Sequence, residues 1–351
     1  MTVSVVILKP DEIGDFILAT GAIRLLAKSH GEKNLILVVK SEVLPLARNE
    51  FPAARIIDIP WQQRRKGQNQ AWANLRHCFS AWRELRGVRA HQCVCLRSAR
   101  NYLQTLLFAA PRAAGRFASE NVLLANGSLR RRMLELWLVH SLGTRLSPYP
   151  RPSAEMPAEL AAHQAVLSES LGRPVTTGEV MPSLTAGPWR GGDGWLLCPF
   201  SSRPSKDYSA ENWARALREA MRRTTPKVIR LAGSPGQAAR LHSFASTLRE
   251  TGVGSRVEVS GAVPLEIFPN AVAAADLVLT VDTAGAHFAC AIGAPAVIVD
   301  SGKNSGTYGP YSPNGRQQWL IADRRNLGRE RWQESIPPEM VSSAILRVLN
   351  A

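Results

Sequence analysis

Three stretches of this sequence set polar side chains where a ligand could be held or a proton moved. The first, Lys9-Pro10-Asp11-Glu12-Ile13-Gly14-Asp15, follows an apolar run and puts a carboxylate at the mouth of a helical pattern that begins at Phe16. Gly14 would let the backbone turn tightly there. Asp15 reads in two ways: as the N-cap of that helix, or as a general base able to take a proton from a hydroxyl nucleophile. The second stretch, Pro199-Phe200-Ser201-Ser202-Arg203-Pro204-Ser205-Lys206, offers hydroxyls, backbone amides and an ammonium group. That set suits the oxyanions of a pyrophosphate, with Lys206 as a point charge against a leaving group; an ordinary solvated loop has the same composition. The third is Asp282-Thr283-Ala284-Gly285-Ala286-His287, between an apolar run and an alanine-rich helix. Its small residues would let a phosphate approach the free amides and positive dipole of a helix N-terminus. Asp282 and Thr283 could equally be plain caps, and His287 a histidine satisfied within the first turn.

The elements that must position these stretches alternate strand and helix. Val3 to Leu8 is a strand, Phe16 to Lys28 a helix with Phe16, Ile17, Ala19, Ile23 and Leu26 on one stripe, and Asn34 to Val39 a second strand. This βαβ order implies a parallel, doubly wound sheet. Strands at Arg55 to Ile59 and Gln92 to Leu96 and helices near 70–86, 101–110 and 130–142 extend it. A Pro- and Gly-rich span from Ser147 to Arg190, broken by a helix near 158–171, marks the domain junction. A second series follows, with strands at Trp195 to Cys198, Lys227 to Leu231, Val257 to Val259, Leu277 to Val281 and Ala296 to Val299. Its helices are Ala210 to Arg222, Gln237 to Glu250, Leu265 to Ala274 and Gly285 to Ile292. The expected division is an N-terminal domain over 1–165, a linker over 166–190 and a second domain over 191–330. A final helix within 331–351, Pro338 to Leu349, is expected to pack back on the first domain. In such sheets ligands bind beyond the carboxyl ends of strands, where all three polar stretches lie.

At 351 residues the chain is longer than one compact core usually fills, and 45% hydrophobic with 20% charged residues fits folded globular domains rather than disorder. No apolar run approaches the roughly 20 residues of a membrane helix, and the N-terminus has no secretory-leader pattern, so a cytoplasmic location is expected. Five scattered cysteines do not suggest a disulfide framework. His91, Cys93 and Cys95 alternate on one strand; without a fourth ligand they read as small buried residues rather than a metal site. No Asp-x-Asp pair occurs, and no divalent ion or other cofactor is implied. The net charge of +15 is uneven: residues 1–150 hold 22 basic against 10 acidic residues, the remainder 21 against 18. Clusters at Arg64-Arg65-Lys66 and Arg130-Arg131-Arg132 would draw the first half toward a polyanion such as an anionic membrane face or a phosphorylated glycolipid. Nucleic acid is not expected, because no nucleic-acid-binding motif accompanies the charge.

Taken together, Ile7-Leu8-Lys9 through Ile13-Gly14-Asp15, followed by the spaced set Asp282, Thr283, His287, Ala289, Ala291, Gly293 and Pro295, resemble glycosyltransferase family 9, the ADP-heptose:lipopolysaccharide heptosyltransferases. The resemblance implies GT-B architecture, two facing Rossmann-like domains with an interdomain cleft. It implies an inverting, metal-independent transfer of a sugar, heptose from ADP-heptose, to a hydroxyl of an envelope glycolipid. Asp15 would be the base. Ser201, Ser202 and Lys206 would hold donor phosphates; Asp282, Thr283, Ala284, Gly285 and His287 would line the sugar and diphosphate; Gly233 and Ser234 would lie toward the nucleotide; and Val263 and Leu265 would meet its base. Gly14, Arg97 and Arg100 would face an anionic acceptor. Where many members carry an acid after the glycine matching Gly233, this chain reads Ser234-Pro235-Gly236-Gln237. Ala284 replaces a common glycine, and Asp300-Ser301-Gly302-Lys303-Asn304 replaces a Phe-Gly-Pro-Thr type of loop. These departures border the nucleotide and the donor sugar. A nucleotide-sugar epimerase and a non-catalytic sugar-nucleotide or membrane-binding subunit are the competing expectations on the same architecture.

Overall fold

The computed structural model describes residues 4–59, 83–85, 88, 90–96, 113–121, 145–148, 156–323 and 331–351. The expected helices near 101–110 and 130–142, most of the one near 70–86, both arginine clusters, and Arg97 and Arg100 lie outside the described residues. The chain divides into two compact units, Met1–Pro182 and Ser183–Ala351.

In the first unit, β1 (Ser4–Lys9), α1 (Ile13–His30), β2 (Leu35–Lys40), α2 (Leu44–Glu50) and β3 (Arg55–Ile59) are followed by β4 (Ala90–Cys95), β5 (Ala113–Asn121) and β6 (Arg145–Pro148). Two helices close the unit, α3 (Ala158–Leu171) and the single-turn α4 (Thr177–Val180). The sheet order is β3-β2-β1-β4-β5-β6, with every pairing parallel. Parallel strands covered on both faces must be apolar throughout, which accounts for Leu35 to Val39, buried without interruption. Strand order reverses between β1 and β4, the point at which doubly wound sheets open a crevice for ligands.

The expected stripe on α1 is too narrow. Every residue from Phe16 to Ile23 is buried, because α3 and α4 pack on the helix in addition to the sheet. Thr20 survives there by donating its hydroxyl to the Ile17 carbonyl at 2.7 Å. Gly21 is required by contact rather than by torsion, since a Cβ there would run into the carbonyl oxygens of Val180 and Met181. Gly21→Ala should therefore lower the urea midpoint of unfolding, at an overpacking cost of about 1–3 kcal/mol; an unchanged midpoint would show that α4 yields freely.

The second unit repeats the plan. Its strands are β7 (Trp195–Cys198), β8 (Ile229–Gly233), β9 (Val257–Ala262), β10 (Leu277–Val281), β11 (Ala296–Asp300) and β12 (Gln317–Ile321). Its helices are α5 (Ala210–Ala220), α6 (Ala238–Glu250), α7 (Phe268–Ala274), α8 (Ala284–Ile292) and α9 (Pro338–Leu349). The order β12-β11-β10-β7-β8-β9 is again all parallel and reverses between β7 and β10. α5 is strongly amphipathic: Ser209 accepts the Asn212 amide as its cap, and Trp213, Ala214, Leu217 and Ala220 enter the core.

The C-terminal helix α9 lies on α5, β11 and β12, and Val341, Ala344 and Ile345 belong to the core of its own unit. Residues 166–171, expected in the linker, complete α3, and 147–148 at the start of the expected junction belong to β6.

Candidate functional site

The two strands flanking the second unit's reversal point each end in a polar loop. β7 leads to Lys206 and β10 to Asp282, and the Lys206 ammonium donates to Asp282 Oδ2 at 2.6 Å. Both side chains are largely buried. The loop that carries Lys206 is built as a rigid arch. The Ser201 amide donates to Asp207 Oδ1 at 2.6 Å, while the Ser201 hydroxyl donates to the Arg203 carbonyl at 2.6 Å and accepts from the Arg203 amide at 2.8 Å. Asp207 is held in turn by Arg240 at 2.5 Å, whose guanidinium lies 3.9 Å from the centroid of the Phe200 ring. From the far end of the chain, Trp332 Nε1 donates to the Ser205 carbonyl and Gln333 Nε2 to that of Asp207, each at 3.2 Å. Ser202 stands exposed at the tip. The Ser201 hydroxyl, expected to meet phosphate, is thus engaged in shaping the loop.

Thr283 occupies the N-cap position of α8 with no side-chain cap bond; its hydroxyl lies 3.3 Å from both the Val281 carbonyl and Thr280 Oγ1. The reading of Asp282 and Thr283 as side-chain caps therefore fails: one pairs with Lys206 and the other turns back to β10. In the first turn, the Ala284 and Gly285 amides have no preceding helical carbonyl, so the end of α8 presents partial positive charge next to Lys206. Gly285 is dictated by closeness, since a Cβ would fall 2.8 Å from Thr280 Oγ1 and 3.4 Å from Cys198 Cβ. His287, nearly fully buried, sets Nδ1 3.1 Å from the Tyr311 hydroxyl with the rings stacked. Burial pushes the Tyr311 hydroxyl well above its usual pKa, with Cys290 and Asp282 adding to the rise, so Tyr311 stays neutral.

Gln237 stands in the loop after β8, four positions beyond Gly233. Its Oε1 accepts the Ser234 amide at 2.9 Å and its Nε2 donates to the Ser201 carbonyl at 3.2 Å, tying the loop after β8 to the loop after β7. Val263 and Leu265, half-buried, follow β9 directly; no hydrogen bond among the described residues links them to Lys206 or Asp282. The described residues include no group of three or more His, Cys, Asp or Glu side chains placed to hold a metal ion.

At the first unit's reversal point, the sequence reading of Asp15 needs correction. α1 begins at Ile13, one turn earlier than Phe16, with Glu12 at the N-cap position. Asp15 is therefore a first-turn residue and not a cap, and Gly14 is helical, with no left-handed torsion. The cause is tertiary: the Lys40 ammonium at the end of β2 grips both Glu12 carboxylate oxygens at 3.0 Å and fixes the helix start. A helix N-terminus ordinarily lowers the pKa of a first-turn acid. Here the opposite holds. Burial, then the charges of Asp11, Glu159 and Glu12, push the half-buried Asp15 carboxyl up to about 8, with Lys9 opposing them.

Beneath Asp15 lies a network that the sequence reading missed. Lys9, fully buried at the end of β1, donates to the Leu96 carbonyl at 2.5 Å and to Glu159 Oε1 at 2.8 Å, and lies 3.3 Å from Asp11 Oδ2. His163, one turn along α3 from Glu159, is held neutral by burial, reinforced by Lys9, its pKa pushed down to about 4. A lysine closing a wholly apolar strand was the available signal for Lys9. Nothing local marked Glu159, Gln237 or Tyr311.

Residues 189–334 match the family model described as glycosyltransferase family 9 (heptosyltransferase). No curated protein sequence matches the chain. Among solved structures, the chain is similar to the E. coli heptosyltransferase WaaC with ADP-2-deoxy-2-fluoro heptose, at 18% identity and TM-score 0.69, covering 99% of this chain and 100% of that one. It is also similar to E. coli ADP-heptose lps heptosyltransferase II at 14% identity and TM-score 0.68, covering 99% and 98%. A glycosyl transferase of family 9 from Veillonella parvula DSM 2008 matches at 16% identity and TM-score 0.70, covering 99% and 97%. At these identities the structural likeness is one of fold: two parallel-sheet α/β domains of the GT-B kind.

Proposed function

We propose, from the premise that the chain is a glycosyltransferase carrying a family 9 domain over residues 189–334, that it moves a heptose from ADP-heptose to a hydroxyl of an anionic envelope glycolipid, with inversion and without metal. The observation that carries this reading is the Lys206–Asp282 pair beside the N-terminus of α8, at the reversal point of the second sheet. A diphosphate needs charge neutralisation, and a buried ammonium with two helix amides supplies it without a cation. Similar proteins have been solved with ADP and with an ADP-heptose analogue, which favours an adenine nucleotide here.

In the proposed reaction Asp15 removes the proton of the acceptor hydroxyl as that oxygen bonds to the anomeric carbon from one face. The bond from that carbon to the ADP oxygen breaks on the other face, which inverts the centre. The charge left on ADP is met by Lys206 and by the α8 amides. The surplus of 22 basic over 10 acidic residues in positions 1–150 supports an anionic acceptor and contact with an anionic membrane face from the cytoplasmic side. No helix among the described residues is long and apolar enough to cross a membrane.

The test is calorimetric titration of ADP and ADP-heptose into the full chain in EDTA and then in magnesium, followed by ADP release when a heptose-free lipopolysaccharide is added. Binding of equal strength in both buffers and acceptor-dependent ADP release are expected. A strict need for a divalent ion, or ADP-heptose consumed without acceptor, would overturn the proposal.

A further inference from the structure

We infer that Lys9 and Glu159 are positioning residues for transfer: without touching either substrate, this buried pair governs whether Asp15 is available as a base. The inference rests on the reading of Asp15 as the acceptor's base and adds to it the residues through which that base is controlled.

The argument is one of charge and place. Val5 to Leu8 are almost wholly inaccessible, yet the same strand ends in an ammonium that is just as buried. Burying an ion pair is expensive, and apolar residues of similar volume often do as well or better for stability. Packing alone therefore gives no reason for Lys9 and Glu159. Their surroundings do. Acting on Asp15 from its own turn and the preceding loop are the charges of Glu12 and Asp11, from β1 that of Lys9 and from α3 that of Glu159; His163 and Lys40 stand one contact further out, against Glu159 and Glu12. Lys40 is committed to Glu12 at 3.0 Å and Glu42 at 2.9 Å, and His163 is neutral. Among the described residues, Lys9 is then the cation that answers the negative charge of Asp15, and it shares that duty with Glu159 at 2.8 Å and Asp11 at 3.3 Å. Cutting the Lys9–Glu159 pair from opposite ends must therefore have opposite consequences. Loss of Lys9 takes from Asp15 the positive charge that opposes its neighbouring carboxylates, whereas loss of the Glu159 charge removes one of those carboxylates.

That opposition separates control of the base from scaffolding, because two variants that break the same ion pair would damage a scaffold in the same direction. The experiment follows the carboxyl-carbon NMR signal of Asp15 in the isotope-labelled full chain, assigned by its disappearance in Asp15→Asn. Lys9→Met should raise the midpoint of that signal, and Glu159→Gln should lower it, each by about tenfold in proton affinity. The alkaline-rising limb of the rate of ADP release should move in the same two directions. Shifts of the same sign, or none, would overturn the inference. Should Lys9→Met fail to fold, Asp11→Asn, at a carboxylate still 11% open to solvent, replaces it; that variant and Glu159→Gln each remove a carboxylate and should then both lower the midpoint, and unmoved or raised midpoints in the two overturn the inference equally. Undiminished transfer by Asp15→Asn would instead remove the base assignment itself, an outcome that the NMR midpoints cannot mimic.

Discussion

Asp15→Asn should reduce transfer by about 10²- to 10⁴-fold, the usual range for removing a general base, while ADP affinity stays unchanged. Because Asp15 is a first-turn residue rather than the N-cap of α1, the substitution does not remove a cap. Stability should respond as well, and its sign is informative. The folded carboxyl holds its proton up to about pH 8, whereas an ordinary aspartate releases it near 3.8. The folded state thus binds more protons than the unfolded chain through that window, and wild-type stability falls as pH rises across it and then levels off. Asn does not titrate. The variant should gain on the wild type from pH about 4 to about 8, and wild-type turnover should climb with pH toward the same upper end as the base ionises. Equilibrium urea melts across pH and rates of ADP release measure both. Near-normal turnover in the folded variant would end the catalytic assignment.

Lys206→Met should weaken ADP binding by about 10- to 150-fold, the equivalent of one charged hydrogen bond. It should also cost about 3–5 kcal/mol of stability, because the Asp282 carboxylate is left buried with its partner gone. Adding Asp282→Asn removes that stranded charge. The double variant should therefore regain most of the stability and none of the affinity, as read by urea melts and by calorimetry with ADP in EDTA. Full ADP affinity in Lys206→Met would place the diphosphate elsewhere.

How much of this was readable in advance varies with how local the cause is. Leu35 to Val39, Leu277 to Val281 and Ala296 to Val299 announce themselves because strands buried on both faces need unbroken apolar runs. β12 does not. It opens with Gln317 and Gln318, and Gln317 is tolerated inside because its amide donates to the Ala294 carbonyl and accepts from the Ser312 hydroxyl, each at 2.8 Å. β5 and β6 carry small and polar residues with no apolar run and were missed for the same reason. At the site, Lys206 and Asp282 were each singled out by the loop they occupy, although 76 positions separate them and no local pattern shows that they touch. The start of α1 was misplaced because cap preference favours Asp over Glu, while the deciding force, Lys40 on Glu12, comes from another strand. Lys9 and Glu159, 150 positions apart, lay beyond any local pattern.

The arch that carries Lys206 is held from residues Trp332 and Gln333, and Tyr208 just beyond it donates its hydroxyl to the Ile336 carbonyl at 2.7 Å. Seen from the ribosome, this sets an order of maturation. The first unit can complete its sheet and α3 while the second is still being translated, since domains tend to fold as they emerge. The Lys206 loop cannot: its sequence is in place by position 207, but the side chains that give it shape arrive more than 120 positions later. A nascent chain would therefore present a finished acid cluster around Asp15 well before the arch that carries Lys206 had its shape.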